Sequence, residues 1–380
     1  MRLAFLSIGR HIHTERWIRW FAERGDECHL LTVQPGPVEG VTVHDIRRGG
    51  GPKPWRYWRS LGEVKRLLHD LQPDLLNTHF LTGYGYWGHF SGFQPNVLTV
   101  WGDDVYVTPF ENPVKGWLAR RAVASCRALT GDSTDILAVA ARELGADPER
   151  SFRVLWGVDF DRFRPRDARD WRRALGFQDR DLLFFSPRSY TQPYYNIDVI
   201  IAAARVVRTR LPQARFLFAG YEGDPAPFEA QVRAAGLADV SRVIGRIPHA
   251  EFDAALNACD VMLTVPSVDA TAVSLLEAMA CGCAVICSDL PSSVEWIRNG
   301  VSGLVVPPRD ADALAAAMVQ VADPTRRLEL GAAAAVRCRE VAGFEQNMGL
   351  VADIFASCLE APGAAWPRAV SLAVLGEDGS

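Results

Sequence analysis

Short apolar runs alternate with longer amphipathic ones along most of this chain. The strand-like runs are 28–33, 75–78, 97–100, 152–155, 182–186, 215–219 and 261–265. They are too short and too uniformly apolar for helices and read as buried strands. Between them, apolar residues recur at helical spacing over 14–24, 60–71, 198–210, 228–235, 252–258 and 311–321. The opening residues 1–7 are too short for a signal-peptide core and read as a first buried strand. This strand–helix alternation predicts an α/β fold, with parallel sheets covered by helices. The run from Trp156 to Pro165 breaks the rhythm with glycine, proline and charge, and reads as a linker. The expected division is 1–162 and 163–342, followed by a helix at 343–359 and a tail at 360–380. No short-period repeat is visible.

Composition narrows the picture. A length of 380 residues suits two α/β domains, each able to bury its own core. With 48% hydrophobic and 23% charged residues the chain is globular, and a net charge of −4 gives no case for nucleic acid as a partner. No apolar run approaches a membrane span. Eight scattered cysteines without an export signal point to a reducing cytoplasm. Cys281, Cys283 and Cys287 cluster, but no second ligand pair matches them. They read as small buried residues rather than metal ligands, so no metal site is expected.

The densest chemistry lies between Asp269 and Pro308. Asp269 and Glu277 cannot form one helical stripe, because eight helical residues span about 12 Å and leave the side chains roughly 80° apart. A loop acid followed by a helix acid fits better, with the helix starting near Thr271 and Glu277 in its second turn. The free N–H groups of that helix start then face the same space as the acids. Phosphate at the N–H groups and hydroxyls at the acids together describe a nucleotide sugar. An ordinary loop–helix–strand unit of an α/β domain is the plainer alternative.

The same block resembles the donor-site signature of the retaining glycosyltransferases of family 4. Glu277 is followed by Ala278-Met279-Ala280-Cys281-Gly282, the strand 284–287, Glu295, Asn299-Gly300 and Gly303-Leu304-Val305-Val306-Pro307-Pro308. The resemblance implies the GT-B architecture, two facing Rossmann-like domains with parallel sheets and an interdomain donor cleft. It also implies that the helix 343–359 crosses back to the N-terminal domain. Arg188, in Pro187-Arg188-Ser189 after the strand 182–186, resembles the family's arginine at the donor diphosphate, where a planar fork suits paired phosphate oxygens. Tyr195-Asn196 stands where the family has Lys-Gly, so a second cation is missing. The N–H groups around Ala270, Thr271, Ala272, Val273 and Ser274 would hold phosphate, although Gly-Phe-Gly has become Ala270-Thr271-Ala272. Glu277 would accept both ribose hydroxyls, and Asp269 would contact a sugar hydroxyl. Glu295 completes the donor signature.

In the N-terminal half, Ser7-Ile8-Gly9-Arg10 follows the first strand and resembles the family's glycine-containing loop, which implies a place close to the transferring phosphate; Gly9 permits close backbone approach, although a plain turn explains it nearly as well. Thr99-Val100-Trp101-Gly102-Asp103-Asp104 resembles the family's Thr-x-His-Gly-x-Asp. Trp101 thus replaces the catalytic-site histidine and carries no titrating group. His79, His11 and His13 are its expected neighbours. The resemblance implies transfer of a sugar from a UDP- or GDP-sugar to a glycan, lipid-linked or small-molecule acceptor, with no cofactor and no protein nucleophile. Trp101 and Tyr195 leave room for a binding protein without turnover.

Other motifs pull elsewhere. Gly83-Tyr84-Gly85-Tyr86-Trp87-Gly88 is a literal GxGxxG followed by Asp103 and Asp104, so a dinucleotide oxidoreductase is the rival enzyme. Asp159-Phe160-Asp161 matches a metal-binding DxD, or a turn and helix cap. Between 46 and 60, Arg47, Arg48, Lys53, Arg56 and Arg59 interleave with Trp55, Tyr57 and Trp58. This is either a loop entering a helix whose aromatics pack inward, or a patch for peripheral contact with the inner face of a membrane.

Overall fold

The computed structural model describes residues 1–47, 53–220, 224–360 and Trp366, with side chains described from Tyr57 onward in the helix Lys53–Leu71. The chain forms two compact units, Met1–Trp156 with Glu345–Ser380, and Gly157–Phe344.

The first unit is built on seven parallel strands: β1 (Arg2–Leu6), β2 (Glu27–Thr32), β3 (Val41–Asp45), β4 (Leu75–His79), β5 (Asn96–Thr99), β6 (Ala128–Gly131) and β7 (Ser151–Arg153), in the order β3-β2-β1-β4-β5-β6-β7. Leu3 to Leu6 are fully buried, as a parallel strand covered by helices on both faces requires. The helix Ile12–Glu23 buries Trp17, Ile18 and Phe21. Phe21 stacks on Phe355 at 5.0 Å, and Trp20 donates its indole N–H to Glu345 at 2.7 Å. From Glu345 on, the helix Phe344–Leu359 therefore belongs to the first unit.

The second unit is built on β8 (Leu182–Ser186), β9 (Ala214–Ala219), β10 (Ser241–Ile244), β11 (Val261–Thr264), β12 (Ala284–Ser288) and β13 (Leu304–Val306), in the order β10-β9-β8-β11-β12-β13. Each sheet starts at its centre, grows to one edge, and then returns to grow to the other. The reversal falls between β1 and β4 in the first unit and between β8 and β11 in the second. Beyond the strand C-termini at such a point the outgoing loops diverge and leave a crevice for ligand. The chemistry is concentrated there in both units.

Several sequence readings change. The GxGxxG run does not leave a strand directly: the chain passes Phe80 at φ 71° and a short helical turn, Leu81–Gly85. Tyr84 is buried, with its hydroxyl 3.3 Å from Thr32 Oγ1 and 3.3 Å from the Val33 N–H. Gly88 seats its helix on β4, where an added Cβ would lie 2.7 Å from Thr78 Oγ1. Gly85 and Gly88 serve packing and Gly83 takes a positive φ of 87°, and the dinucleotide reading falls with them. Asp159 Oδ1 accepts from the N–H groups of Asp161 (3.0 Å) and Arg162 (3.3 Å), which makes the DxD a turn cap. Cys281, Cys283 and Cys287 are buried, and burial pushes the Cys287 thiol up to about 12.

In the 46–60 segment Arg47 pairs with Asp45 at 2.9 Å, and Tyr57 stacks on Trp87 at 4.8 Å while donating to the Gly83 carbonyl. Trp58 stays 50% exposed. Arg48 and the side chains of Lys53, Trp55 and Arg56 lie outside the described residues, as does most of the 360–380 tail. Among the described residues no helix is long and apolar enough to cross a membrane.

Candidate functional site

In the second unit, Arg188 leaves the end of β8 and Asp269 leaves the end of β11, on either side of the switch point. The two side chains form an ion pair that is largely shielded, 11% and 19% exposed. The guanidinium also lies 4.1 Å from the centre of the Tyr195 ring. Cations settle on aromatic faces because the ring quadrupole is negative there. The turn carrying Tyr195 is fixed by Asn196, at φ 52°, whose amide donates to the Val265 carbonyl (2.9 Å) and to Ser267 Oγ (2.8 Å). Arg188, Tyr195 and Asp269 are thus brought together. Asp269, expected to meet a sugar hydroxyl, is already engaged by Arg188.

Four residues beyond Asp269 the helix Val273–Ala280 begins, two residues later than expected. Its N-cap, Ala272, has no side chain to bond the first amides. Those N–H groups point out of the helix start without an intrahelical acceptor. Among the described residues Ser274 Oγ, buried there, has no hydrogen-bond partner, a hydroxyl available to an oxygen-rich ligand. Thr271, by contrast, is buried and its hydroxyl accepts from the Trp296 indole at 3.1 Å. That bond ties the loop to Trp296. Glu295 precedes Trp296 directly at the end of the short helix Pro291–Val294.

Glu277 sits in the second helical turn, as expected, but it is only 4% exposed. The surrounding Leu275, Leu276, Ala278, Met279 and Ala280 are all buried, and the carboxylate is recessed among them. His249 stands beside it, Nε2 to Oε1 at 3.8 Å. No motif reading had singled out His249. Its one signal was a histidine just after Pro248, at the head of an amphipathic run.

In the first unit Trp101 lies in an aromatic box. Its ring centre is 4.8 Å from His11, 5.0 Å from Trp156, 6.0 Å from Phe80 and 6.1 Å from His79. Its indole nitrogen is buried and has no hydrogen-bond partner among the described residues. Asp104 holds the Trp101 loop, accepting from the N–H groups of Leu81 (2.6 Å), Gly102 (2.7 Å) and Trp101 (3.0 Å). Burial nonetheless pushes the Asp104 carboxyl up to about 6. Gly9 is close to protein rather than open to a ligand: a Cβ there would lie 2.5 Å from the Gln34 carbonyl, and its N–H donates to Thr32 Oγ1 at 3.0 Å. Its missing side chain is explained by that packing.

Asn77, which the sequence did not mark, organises this box. Its amide nitrogen donates to the Val97 carbonyl and Thr99 Oγ1, so its oxygen must accept. That oxygen takes the Trp17 indole at 3.1 Å and His79 Nε2 at 2.7 Å. His79 therefore carries its hydrogen on Nε2 and presents a bare Nδ1, which has no partner. Burial drives the imidazole down to about 3, and His11 adds to the fall.

A folded pKa below the unfolded one, about 6.5, means that the unfolded chain binds the extra proton. The stability contribution is present above about pH 6.5 and is lost as pH falls toward 3. We expect this one group to cost on the order of 1 kcal/mol per pH unit across that window. Urea midpoints measured from pH 7 to 4 should fall less steeply for His79→Gln than for wild type. Superimposable slopes would show that the ring accepts its proton in the folded state.

These features define a glycosyltransferase once the chain is set beside known proteins. Residues 167–335 match the family described as glycosyl transferases group 1, and residues 2–133 match glycosyl transferase 4-like. The chain belongs to glycosyltransferase family 4, with the GT-B architecture. It is 28% identical over 356 residues to D-inositol 3-phosphate glycosyltransferase 2 of Catenulispora acidiphila, covering 86% of this chain and 80% of that one. It is 32% identical over 261 residues to D-inositol 3-phosphate glycosyltransferase of Geodermatophilus obscurus, covering 66% of this chain and 57% of the relative. Among solved structures, Anabaena HepE in complex with UDP-glucose superposes with a TM-score of 0.81 at 14% identity, covering 94% of this chain and 100% of that one. WaaG, a glycosyltransferase involved in lipopolysaccharide biosynthesis, superposes with a TM-score of 0.74 at 17% identity, covering 93% and 99%.

Proposed function

We propose that this glycosyltransferase moves a sugar from a nucleoside-diphosphate sugar to a hydroxyl acceptor with retention of anomeric configuration. The observation that carries the reading is the arrangement at the switch point of the second unit. Arg188, an uncapped helix start with the unpartnered Ser274 hydroxyl, and the recessed Glu277 follow one another along β8, β11 and the next helix. Cleaving the bond from sugar to phosphate places negative charge on the departing diphosphate. Preorganised donors there supply the largest catalytic contribution. Arg188 and the amides of Val273 and Ser274 take that role, and Glu277 takes the ribose hydroxyls. Asp269 holds Arg188 until phosphate arrives, then turns to the sugar.

The donor is a UDP- or GDP-sugar, and the complex of HepE with UDP-glucose supports the former. The named activity of the relatives supports a small polyol phosphate among the acceptors, beside glycan and lipid-linked hydroxyls. No divalent ion or cofactor enters this reading, because arginine and helix amides can hold a diphosphate. We place the reaction in the cytoplasm. The 46–60 segment would bring the enzyme to anionic lipid, as binding to anionic but not neutral vesicles at low salt would report.

The test is a panel of UDP-, GDP- and other activated sugars, screened by thermal shift and then by release of nucleoside diphosphate with candidate acceptors. One donor should raise the melting midpoint and be consumed, with activity nearly unchanged in chelator. Complete loss in chelator with recovery in manganese would overturn the metal-free reading. The second reading, binding without turnover, is favoured by Trp101: an indole cannot exchange a proton, and its neighbour His79 is held neutral by burial. Stabilisation by a donor that is never consumed would select it.

A further inference from the structure

His249 begins the helix His249–Ala258, and its ring lies between Arg162 and Glu277. Arg162 Nη1 is 2.6 Å from His249 Nδ1. A guanidinium carries only donors, so Nδ1 must accept. The ring hydrogen is therefore on Nε2, the nitrogen that faces Glu277 Oε1 at 3.8 Å.

Arg162 is itself held in place. Its Nε is 3.6 Å from Asp253 Oδ1, and Arg166 reaches the other oxygen of the same carboxylate at 2.9 Å. Asp253 is buried and stands four residues after His249, on the same face of the helix. The Arg162 guanidinium also lies 4.8 Å from the ring centre of the fully buried Phe163. A line of polar groups thus runs from Asp253 through Arg162 and His249 to Glu277. Within that line Arg162, which can only donate, sets the acceptor role of His249 Nδ1.

We propose that His249 is a positioning residue for the ribose-binding carboxylate, with Arg162 fixing the tautomer it needs. This rests on the reading of Glu277 given above. A glutamate side chain has three rotatable bonds, and an apolar helix face offers nothing to orient its end. The Nε2–H of His249 lies 3.8 Å from Oε1, an electrostatic contact longer than a hydrogen bond, and its dipole biases the carboxylate toward one orientation. A carboxylate has about four acceptor positions, so enough remain for two ribose hydroxyls. The acid is then ordered before the nucleotide arrives, and less freedom is lost on binding.

The test is calorimetric titration of UDP and GDP, each beside its 2′,3′-dideoxy counterpart. The proteins are wild type, Glu277→Ala, His249→Leu, His249→Asn and His249→Gln, with melting midpoints recorded for each. His249→Leu should weaken the better-bound nucleotide about 10-fold, as the carboxylate loses that orienting dipole. His249→Asn, whose amide reaches only the Nδ1 position, should weaken it similarly. It serves in place of the leucine variant should that one not fold. His249→Gln returns an N–H near the Nε2 position and should recover affinity to within about 3-fold of wild type. None of the three should alter affinity for the dideoxy nucleotide, which has no hydroxyls for Glu277 to accept. If Glu277→Ala abolishes binding while the His249 variants bind as wild type, the positioning role is wrong and the ribose reading stands. If the His249 variants weaken both nucleotides equally, the role is general packing and the proposal is overturned. If Glu277→Ala binds as wild type, the ribose reading fails and this inference fails with it.

Discussion

Glu277→Ala is expected to lose nucleoside-diphosphate affinity by about 2–4 kcal/mol, the worth of two hydrogen bonds to a charged acceptor. Turnover should fall with it. Because Glu277 is only 4% exposed, the fold is not indifferent to the change. Removing the carboxylate relieves the cost of keeping a charge in a recess and leaves a small void in its place. The two effects oppose, so the urea midpoint should stay within about 1 kcal/mol of wild type. Calorimetry with UDP and GDP, beside denaturation of the same preparations, separates the two quantities. Unchanged affinity would remove the ribose assignment, and a collapse of stability would make the residue chiefly structural.

The second large effect concerns the pair of Arg188 and Asp269. Both side chains are largely shielded, so removing one leaves the other with an uncompensated charge. Arg188→Ala is expected to cost about 3 kcal/mol of stability, read from urea denaturation. The double variant Arg188→Ala with Asp269→Ala should regain most of that loss, because no buried charge is left alone. Activity should behave differently. Without its cation the leaving diphosphate loses a preorganised donor, and turnover should fall about 10²- to 10³-fold in the single and the double variant alike. Stability that recovers while turnover does not is the signature of a pair with both a structural and a catalytic role. Wild-type stability in the single variant would make the pair incidental.

The candidates Asp269 and Glu277 were legible in the sequence because they lie within a few positions of one another, and Arg188 was legible from the resemblance around it. Their engagement was not: Arg188 and Asp269 are 81 residues apart and meet only because β8 and β11 are neighbours in the sheet. The burial of Glu277 was legible in principle, since it stands inside Leu275-Leu276-Glu277-Ala278-Met279, a run apolar on all sides. His249 and Asn77 were not, because each is a lone polar residue whose partners arrive from distant elements.

The strands show the same division. Central strands such as β1, β8 and β11 are continuous apolar runs because both faces are covered. The edge strands β3 and β10, with exposed positions in Val41–Asp45 and Ser241–Ile244, lack that signal. β6 is short and includes Ala128, Thr130 and Gly131, too small a set to register.

The most direct measurement of the central claim is an experimental structure of the protein with bound UDP or GDP. The account predicts the diphosphate on the amides of Val273 and Ser274 with Arg188 turned toward it. It predicts both ribose hydroxyls within hydrogen-bond distance of Glu277. A nucleotide bound elsewhere in the chain, or one whose ribose makes no contact with Glu277, would contradict it.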